Sequence, residues 1–144
     1  MQHSDFYIAG RWRNKDNIRP VVDAVRASGH TAYCFIENAY EGEQVEFAQD
    51  GDPEVFMKQS EALALNDPLV RKIFEADVAA EKAADNFLLV FPAGKAAHIE
   101  AGIAYGLGKK CYAIGVPEQT ETLYCLFEQI FPDIAALQAW LQDN

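Results

Sequence analysis

The chain has 144 residues, half of them apolar, which is enough for one soluble domain with a hydrophobic core. No apolar run approaches the ~20 residues of a membrane-spanning helix, and a formal net charge of −10 argues against binding to nucleic acid polymers. The three cysteines are odd in number and lack CxxC spacing, which argues against a disulfide scaffold or a zinc site. No signal peptide is visible, so we expect a cytoplasmic protein.

The chain begins with a short apolar strand, Phe6–Ala9, which Gly10 ends. The loop that follows contains three cations, including Arg11 and Arg13. Five of the 12 basic residues but only three of the 22 acidic ones lie in residues 1–30. Such a basic segment suits a small anion better than a polymer, although a cationic loop is most often only a solvated surface.

A helix that ends at Ser28 and a strand over residues 30–36 come next. Residues 37–51 are acidic and without periodicity, which is typical of a long loop that acts as a lid or contacts a partner. Asp-Pro pairs then predict the starts of two helices, over residues 52–65 and 69–84.

The second of these helices has an acid inside its apolar face. Helical projection places Asp77 between Val70 and Ala84, with Glu81 one turn further along at the margin of the face. A carboxylate in an apolar arc is costly unless it has a function or a partner. A structural role, in which Asp77 pairs with an arginine or caps a loop, is the alternative.

The apolar run Phe87–Phe91 predicts a strand buried on both faces, and Lys95–Leu107 predicts the helix after it. Glu100 projects on the apolar side of this helix and is the only acid between Asp85 and Glu118. It is therefore either a functional carboxylate or an inert, hydrogen-bonded one at the edge of the sheet.

The remaining elements complete an alternation of strands and helices that is typical of a doubly wound α/β fold. They are a strand at 111–116, one or two helical turns at 121–126, an extended segment at 128–131 and a last helix starting at Pro132-Asp133. We predict a parallel sheet of four to five strands with helices on both faces. Such sheets bind ligands where the strand order reverses, so we expect the site between loops 10–15 and 92–97.

Both of these loops offer groups that bind anions. Arg11 and Arg13 follow the first strand, and Gly94, Lys95 and the free amides of a helix start follow the central strand. Deeper in the same crevice we expect Glu100, Asp77 and Tyr7. Phosphate-binding groups at one end and carboxylates further in describe a pocket for a nucleotide or sugar phosphate. No spacing indicates a metal site or a cofactor motif, so we expect neither.

Several segments resemble the nucleoside 2-deoxyribosyltransferase family. They are Phe6-Tyr7-Ile8-Ala9-Gly10, Phe74-Glu75-Ala76-Asp77, Ala84-Asp85 before an apolar strand, and the run from His98 to Lys109. The most specific part is the E-x-G-x-A-x-x-x-G-K pattern of residues 100–109. The similarity extends over most of the chain, to about Gly115.

This resemblance implies one flavodoxin-like domain over residues 1–144 that cleaves the N-glycosidic bond of a nucleoside or nucleoside 5′-monophosphate, by deoxyribosyl transfer or hydrolysis. It implies that Glu100 is the nucleophile, that Tyr7 orients it and that Asp77 is a further catalytic acid. The expected partner is therefore a small nucleoside or nucleotide. The aromatic content and long helices also suit a homodimer or higher homo-oligomer.

The chain departs from the family pattern at one position. Transferases of the family have an aspartate about six residues before the glutamate, where it contacts the base, and here that position is Gly94. Related nucleotide N-hydrolases hold a 5′-phosphate near this point with small residues and amides, and use an arginine after the first strand. Arg11 or Arg13 could do so here, which favours a phosphorylated ligand.

Two readings other than an enzyme stay open. One is a non-catalytic nucleotide-binding or sensor domain on the same fold, which needs the cationic loop but not the acids. The other is a scaffold whose acidic segment, residues 37–51, contacts a partner protein.

Overall fold

The computed structural model describes residues 2–38 and 65–144. The predicted acidic loop at 37–51 and the predicted helix at 52–65 lie outside the described residues, apart from residues 37, 38 and 65. Five strands form one sheet: β1 (Ser4–Ala9), β2 (Ala32–Cys34), β3 (Ala84–Val90), β4 (Lys110–Ile114) and β5 (Gln129–Phe131).

All strand pairs are parallel and their order is β2-β1-β3-β4-β5. The predicted doubly wound, flavodoxin-like α/β fold is therefore confirmed, with five strands. The order reverses between β1 and β3, so the loops after these strands flank the crevice. This is where the sequence placed the site.

In the part of the chain that the structure describes, four α-helices cover the sheet: α1 (Lys15–Ala27), α2 (Pro68–Lys82), α3 (Lys95–Gly106) and α4 (Ile134–Gln142). Short 3-10 helices occur at Trp12–Asn14, Phe35–Glu37 and Thr122–Leu126. No helix among the described residues is long and apolar enough to cross a membrane.

The two faces of the sheet have separate cores because side chains alternate along each strand. Phe6 and Ile8 of β1 belong to the cluster that α1 and α4 cover, whereas Tyr7 and Ala9 point to the cluster under α2 and α3. The buried residues of α3 are alanines, Ala97, Ala101 and Ala104, which let that helix approach the sheet closely. Glu100 is held against the sheet by this close packing.

Most predicted helix boundaries follow from local capping chemistry. Asp67 and Asp133 accept hydrogen bonds from the first-turn amides of α2 and α4, and Gly108 ends α3 at a positive φ of 81°. The second strand is shorter than predicted, because the chain turns into a 3-10 helix at Phe35.

A buried asparagine joins the two loops of the crevice. The amide of Asn14, at the start of α1, donates to the carbonyl oxygens of Phe91 and Pro92 at 3.2 and 3.4 Å. Asn17 donates in turn to the side-chain oxygen of Asn14 at 2.6 Å. The loops after β1 and β3 are thereby fixed relative to each other.

Candidate active site

The floor of the site is a row of aromatic rings across three strands. Tyr7 of β1 is in register with Tyr33 of β2 on one side and with Phe87 of β3 on the other. The ring of Tyr7 stacks on both neighbours, with centroid distances of 5.3 and 5.9 Å. These contacts fix the direction in which the Tyr7 hydroxyl points.

That hydroxyl donates a hydrogen bond to Oε2 of Glu100. Tyr7 is buried, and Glu100 lies on the side of α3 that faces the sheet. The predicted pair therefore exists, and the sheet orients the carboxylate through the tyrosine. Its contact is with the second of the five strands in spatial order, so Glu100 does not lie at the edge of the sheet, while its catalytic role stays a prediction.

Asp77 lines the same cavity as Glu100. This cavity has a volume of about 240 Å³ and lies between α2 and α3. The Tyr33 hydroxyl lies 3.4 Å from Oδ1 of Asp77, so two neighbouring tyrosines each contact one of the two acids. The structure thus brings together the three residues that the sequence predicted as catalytic.

A third acid, Glu81, also lines this cavity, one turn after Asp77 on α2. Its side chain is buried, although helical projection had placed it at the margin of the apolar face. The other lining residues are mainly apolar: Phe74, Val78, Ala96, Ile99 and Ile103. The cavity therefore combines an apolar wall with three carboxyl groups.

The environment of these acids disfavours negative charge. Burial raises the pKa of Glu100 to about 7, with repulsion from Asp77 adding to the rise, while the hydrogen bond from Tyr7 lowers it. Burial, together with Glu100 and Asp77, raises the pKa of Glu81 to about 8. Burial and Glu100 also raise the pKa of Tyr7, so its hydroxyl stays protonated and donates.

The predicted anion-binding residues lie at the entrance of the crevice rather than in this cavity. Arg11 faces Gly94: a methyl group at Gly94 would lie 3.6 Å from Nε of Arg11. Lys95 is exposed at the first position of α3, and Arg13 is exposed in the 3-10 helix before α1. Arg11 and Gly94 therefore adjoin each other, while the other two cations face solvent.

Gly10 has a packing role that the sequence did not indicate. A methyl group there would lie 2.7 Å from Cδ1 of Ile18 and 3.4 Å from the carbonyl oxygen of Val90. Ile18 is fully buried, so little room exists for it to move. The absence of a side chain at Gly10 lets α1 pack against the ends of β1 and β3.

Sequence reasoning missed two residues near the site, Tyr33 and Asn14, and placed a third, Glu81, only at the margin of an apolar face. Tyr33 shares the face and register of Tyr7, a relation that cannot be read before the pairing of β1 and β2 is known. The i+4 spacing of Glu81 to Asp77 placed it near the apolar face, but its burial could not be read from that spacing. Asn14 had no sequence signal, since its partners are backbone carbonyls 77 and 78 residues away.

Two other clusters lie outside this site. His98 packs on the far side of α3 from Glu100, where its Nε2 lies 2.9 Å from the Tyr124 hydroxyl. Among the described residues, His3, Asp5 and Asp85 have ligand atoms within 4.8 Å of one another. Groups of this kind at a protein surface are common without an ion, so the absence of a metal stays a prediction.

Comparison with known proteins gives a clear likeness among solved structures. No family model and no curated protein sequence matches the chain. Among solved structures, the chain is similar to a 2-deoxyribosyltransferase from Bacillus psychrosaccharolyticus, a biocatalyst for nucleoside synthesis. The TM-score is 0.60, the identity is 18%, and the match covers 96% of each chain. At this identity the likeness establishes the fold.

Proposed function

Because the chain has the fold of a 2-deoxyribosyltransferase, we propose that it cleaves the N-glycosidic bond of a nucleoside or nucleoside 5′-monophosphate, with Glu100 as nucleophile. The observation that carries this proposal is the hydrogen bond from Tyr7 to Glu100 at the wall of a cavity. It holds a carboxylate in a fixed orientation next to a space that a ligand can enter.

The chemistry requires such a carboxylate. As the sugar–base bond breaks, its electron pair leaves with the base and positive charge develops on the sugar ring. An oxygen of Glu100 then bonds to the anomeric carbon, and a second base or water later displaces it. The apolar wall of the cavity strengthens this stabilisation because it keeps water away from the charges.

Asp77 is the candidate for the acid that assists the leaving base. It shares the cavity with Glu100, and repulsion from Asp77 contributes to the raised pKa of Glu100. Transfer of a proton from Asp77 to a base nitrogen lets the base leave as a neutral molecule. Glu100 then carries the charge that the sugar requires.

A 5′-phosphate fits the entrance of the crevice. The guanidinium of Arg11 lies beside Gly94, where the start of α3 provides free backbone amides. Arg13, Lys95 and Gly10 lie in the same two loops, and the cations add positive charge nearby. With no side chain at Gly94, an anion can approach both the arginine and the amides. We therefore include nucleoside 5′-monophosphates among the substrates.

The test is release of free base from a panel of ribo- and deoxyribonucleosides and their 5′-monophosphates. We expect Glu100→Gln to lower the rate at least about a hundredfold, because the amide cannot form the glycosyl intermediate. Glu75→Gln, an exposed change on α2, is the matched control and should leave the rate unchanged. A wild-type protein that releases no base from any member of the panel would contradict the proposal.

A sensor domain that binds nucleotides without cleaving them is the second candidate. The observation that favours it is the separation of the Arg11–Gly94 corner from the acids in the cavity. In that case nucleoside monophosphates should stabilise the protein against heat, Glu100→Gln should keep this effect, and Arg11→Ala should remove it. Base release by the wild type excludes this alternative.

Beyond the reaction itself, we propose a cytoplasmic protein that folds as one domain and forms a homodimer or higher homo-oligomer. The support for the oligomer is the exposed apolar surface at the mouth of the cavity, where the lining residues Phe74 and Ile99 are 52% and 64% exposed.

A further inference from the structure

Glu81 is the most unusual polar side chain among the described residues. It is 2% exposed, lines the same cavity as Asp77 and Glu100, and lies on the helix that forms one wall. Neither of its carboxyl oxygens has a hydrogen-bond partner within residues 2–38 and 65–144. A buried polar group without a partner lowers the stability of the folded protein, so its presence calls for a reason.

A structural ion pair does not supply that reason. The charge of Lys109 lowers the pKa of Glu81. The ammonium group of Lys109, however, donates its hydrogen bond to the carbonyl oxygen of Lys82, at 2.8 Å. Among the described residues, the other charged or titratable groups that act on Glu81, or on which it acts, are acids or neutral donors: Asp77 on α2, Glu100 on α3, Tyr7 on β1 and Cys111 on β4. Within the described residues Glu81 therefore has no partner, and the contents of the cavity that it lines are the candidate source of one.

We propose that Glu81 is a ligand-binding residue of this cavity and that, as a neutral carboxylic acid, it exchanges hydrogen bonds with an uncharged hydroxyl group of the ligand. The proposal rests on the proposed function, in which that hydroxyl belongs to the sugar of the nucleoside. A protonated carboxyl group offers one donor and one acceptor, and a hydroxyl group can satisfy both. The pKa of about 8 for Glu81 agrees with a neutral acid at pH 7.

The surroundings also restrict what the ligand can be. Phe74, Ile99 and Ile103 form an apolar wall, which suits the face of a sugar or another ring. Two further carboxyl groups, Asp77 and Glu100, repel an anion from this position. A phosphate group is therefore excluded from this part of the site and belongs at the Arg11–Gly94 corner.

The experiment compares ligand preference between variants. Calorimetry in the Glu100→Gln background prevents turnover while 2′-deoxyadenosine, 2′,3′-dideoxyadenosine, 2′,5′-dideoxyadenosine and free 2-deoxyribose are titrated. The two dideoxyadenosines lack the 3′- and the 5′-hydroxyl group, respectively. With Glu81 present, one of them should bind about tenfold more weakly than 2′-deoxyadenosine. Glu81→Leu should abolish that difference, whereas Glu81→Gln should retain part of it because an amide still donates and accepts.

Two controls separate a binding role from a structural one. Glu81→Leu should raise the melting temperature of the ligand-free protein, because it removes an unpaired buried carboxyl group. A purely structural residue would lower the melting temperature when replaced and would leave the preference for the hydroxyl unchanged. Glu75→Leu makes the same chemical change at an exposed site of α2 and should alter neither quantity.

The outcomes distinguish this proposal from the proposed function. If wild-type protein releases base but Glu81→Leu keeps the full hydroxyl preference, Glu81 does not bind the ligand and the glycosidic function stands. If no base is released but 2-deoxyribose binds in a Glu81-dependent way, the assignment of Glu81 stands and the reaction is wrong. If no base is released from any nucleoside or nucleoside 5′-monophosphate, and neither the nucleosides nor 2-deoxyribose bind, both proposals are overturned.

Discussion

Tyr7 connects the sheet to the candidate nucleophile, Glu100, and orients its carboxyl group. Its ring is held between Tyr33 and Phe87, and its hydroxyl donates to Glu100. The hydrogen bond favours the ionised carboxylate, while burial and Asp77 oppose it. A pKa of about 7 for Glu100 results from these opposing effects, so a substantial fraction is ionised at neutral pH.

We therefore expect Tyr7→Phe to move the pH profile of base release. Loss of a donor to a charged group should raise the pKa of Glu100 by about one to two units, so kcat/KM at pH 7 falls and recovers at higher pH. The measurement is kcat/KM against pH for the variant and the wild type. Tyr105→Phe, at an exposed tyrosine of α3, should keep the wild-type profile. An unshifted profile in Tyr7→Phe would show that the hydroxyl does not control this ionisation.

At the scale of elements, the ends of the strands depend on backbone conformations that few residues allow. Gly115, after β4, has a φ of 104°, and a methyl group there would lie 3.2 Å from the carbonyl oxygen of Phe91. The turn after β4 can therefore pass close to the end of β3 only with glycine at this position. The loop that begins at Phe91 leads directly to α3 and Glu100.

Gly115→Ala should accordingly destabilise the protein by about 1–3 kcal/mol, because the alanine is strained at this φ and meets a backbone oxygen. Chemical denaturation measures the change. The matched control is Gly102→Ala on the exposed side of α3, which has nothing within 4 Å of the added methyl group. That change should stabilise the helix by up to about 1 kcal/mol. Equal effects of the two substitutions would contradict this account.

At the scale of the whole molecule, the buried acids predict how stability depends on pH. Glu100 and Glu81 have pKa values raised from an ordinary 4.5 to about 7 and about 8, so the folded protein binds more protons than the unfolded chain in this range. The contribution of these two acids to stability is fully present below about pH 4.5. It is lost as the pH rises through their pKa values in the folded protein. Asp5 and Glu37 have lowered pKa values and act in the opposite sense at acid pH, where their stabilising contributions are lost as they become protonated.

We expect the free energy of unfolding to decrease between about pH 5 and about pH 9, and to decrease less in Glu81→Gln. Urea denaturation across this range provides the measurement. Glu75→Gln, at an exposed position of the same helix, should keep the wild-type slope. If Glu81→Gln leaves the dependence of the free energy of unfolding on pH unchanged, the pKa of Glu81 is not raised in the folded protein.

The proposed oligomer is tested at the same scale. Phe74 and Ile99, which line the mouth of the cavity from neighbouring helices, expose apolar side chains, and such exposure is costly for a surface that stays in water. Ile99→Glu should shift the protein to monomers, as measured by light scattering after size-exclusion chromatography. Leu123→Glu, at another exposed apolar residue far along the chain, should not. A wild-type protein that is monomeric at high concentration would refute the oligomer.

The sequence alone determined the features that arise from local pattern. Alternating periodicities indicated the doubly wound fold, and Asp67, Gly108 and Asp133 marked helix ends, because capping acts within one turn. Helical projection also predicted that Glu100 and Asp77 lie on the apolar sides of their helices. These inferences required only the geometry of a single helix or strand.

Only the tertiary structure decided how residues from different elements meet. The contact of Tyr33 with Asp77 depends on the register between β1 and β2, and the complete burial of Glu81 depends on how closely α2 packs on the sheet. The approach of Arg11 to Gly94 depends on two loops far apart in the chain. Strand register and helix packing arise from the sum of many weak contacts across the core, and no local pattern in the sequence encodes that sum.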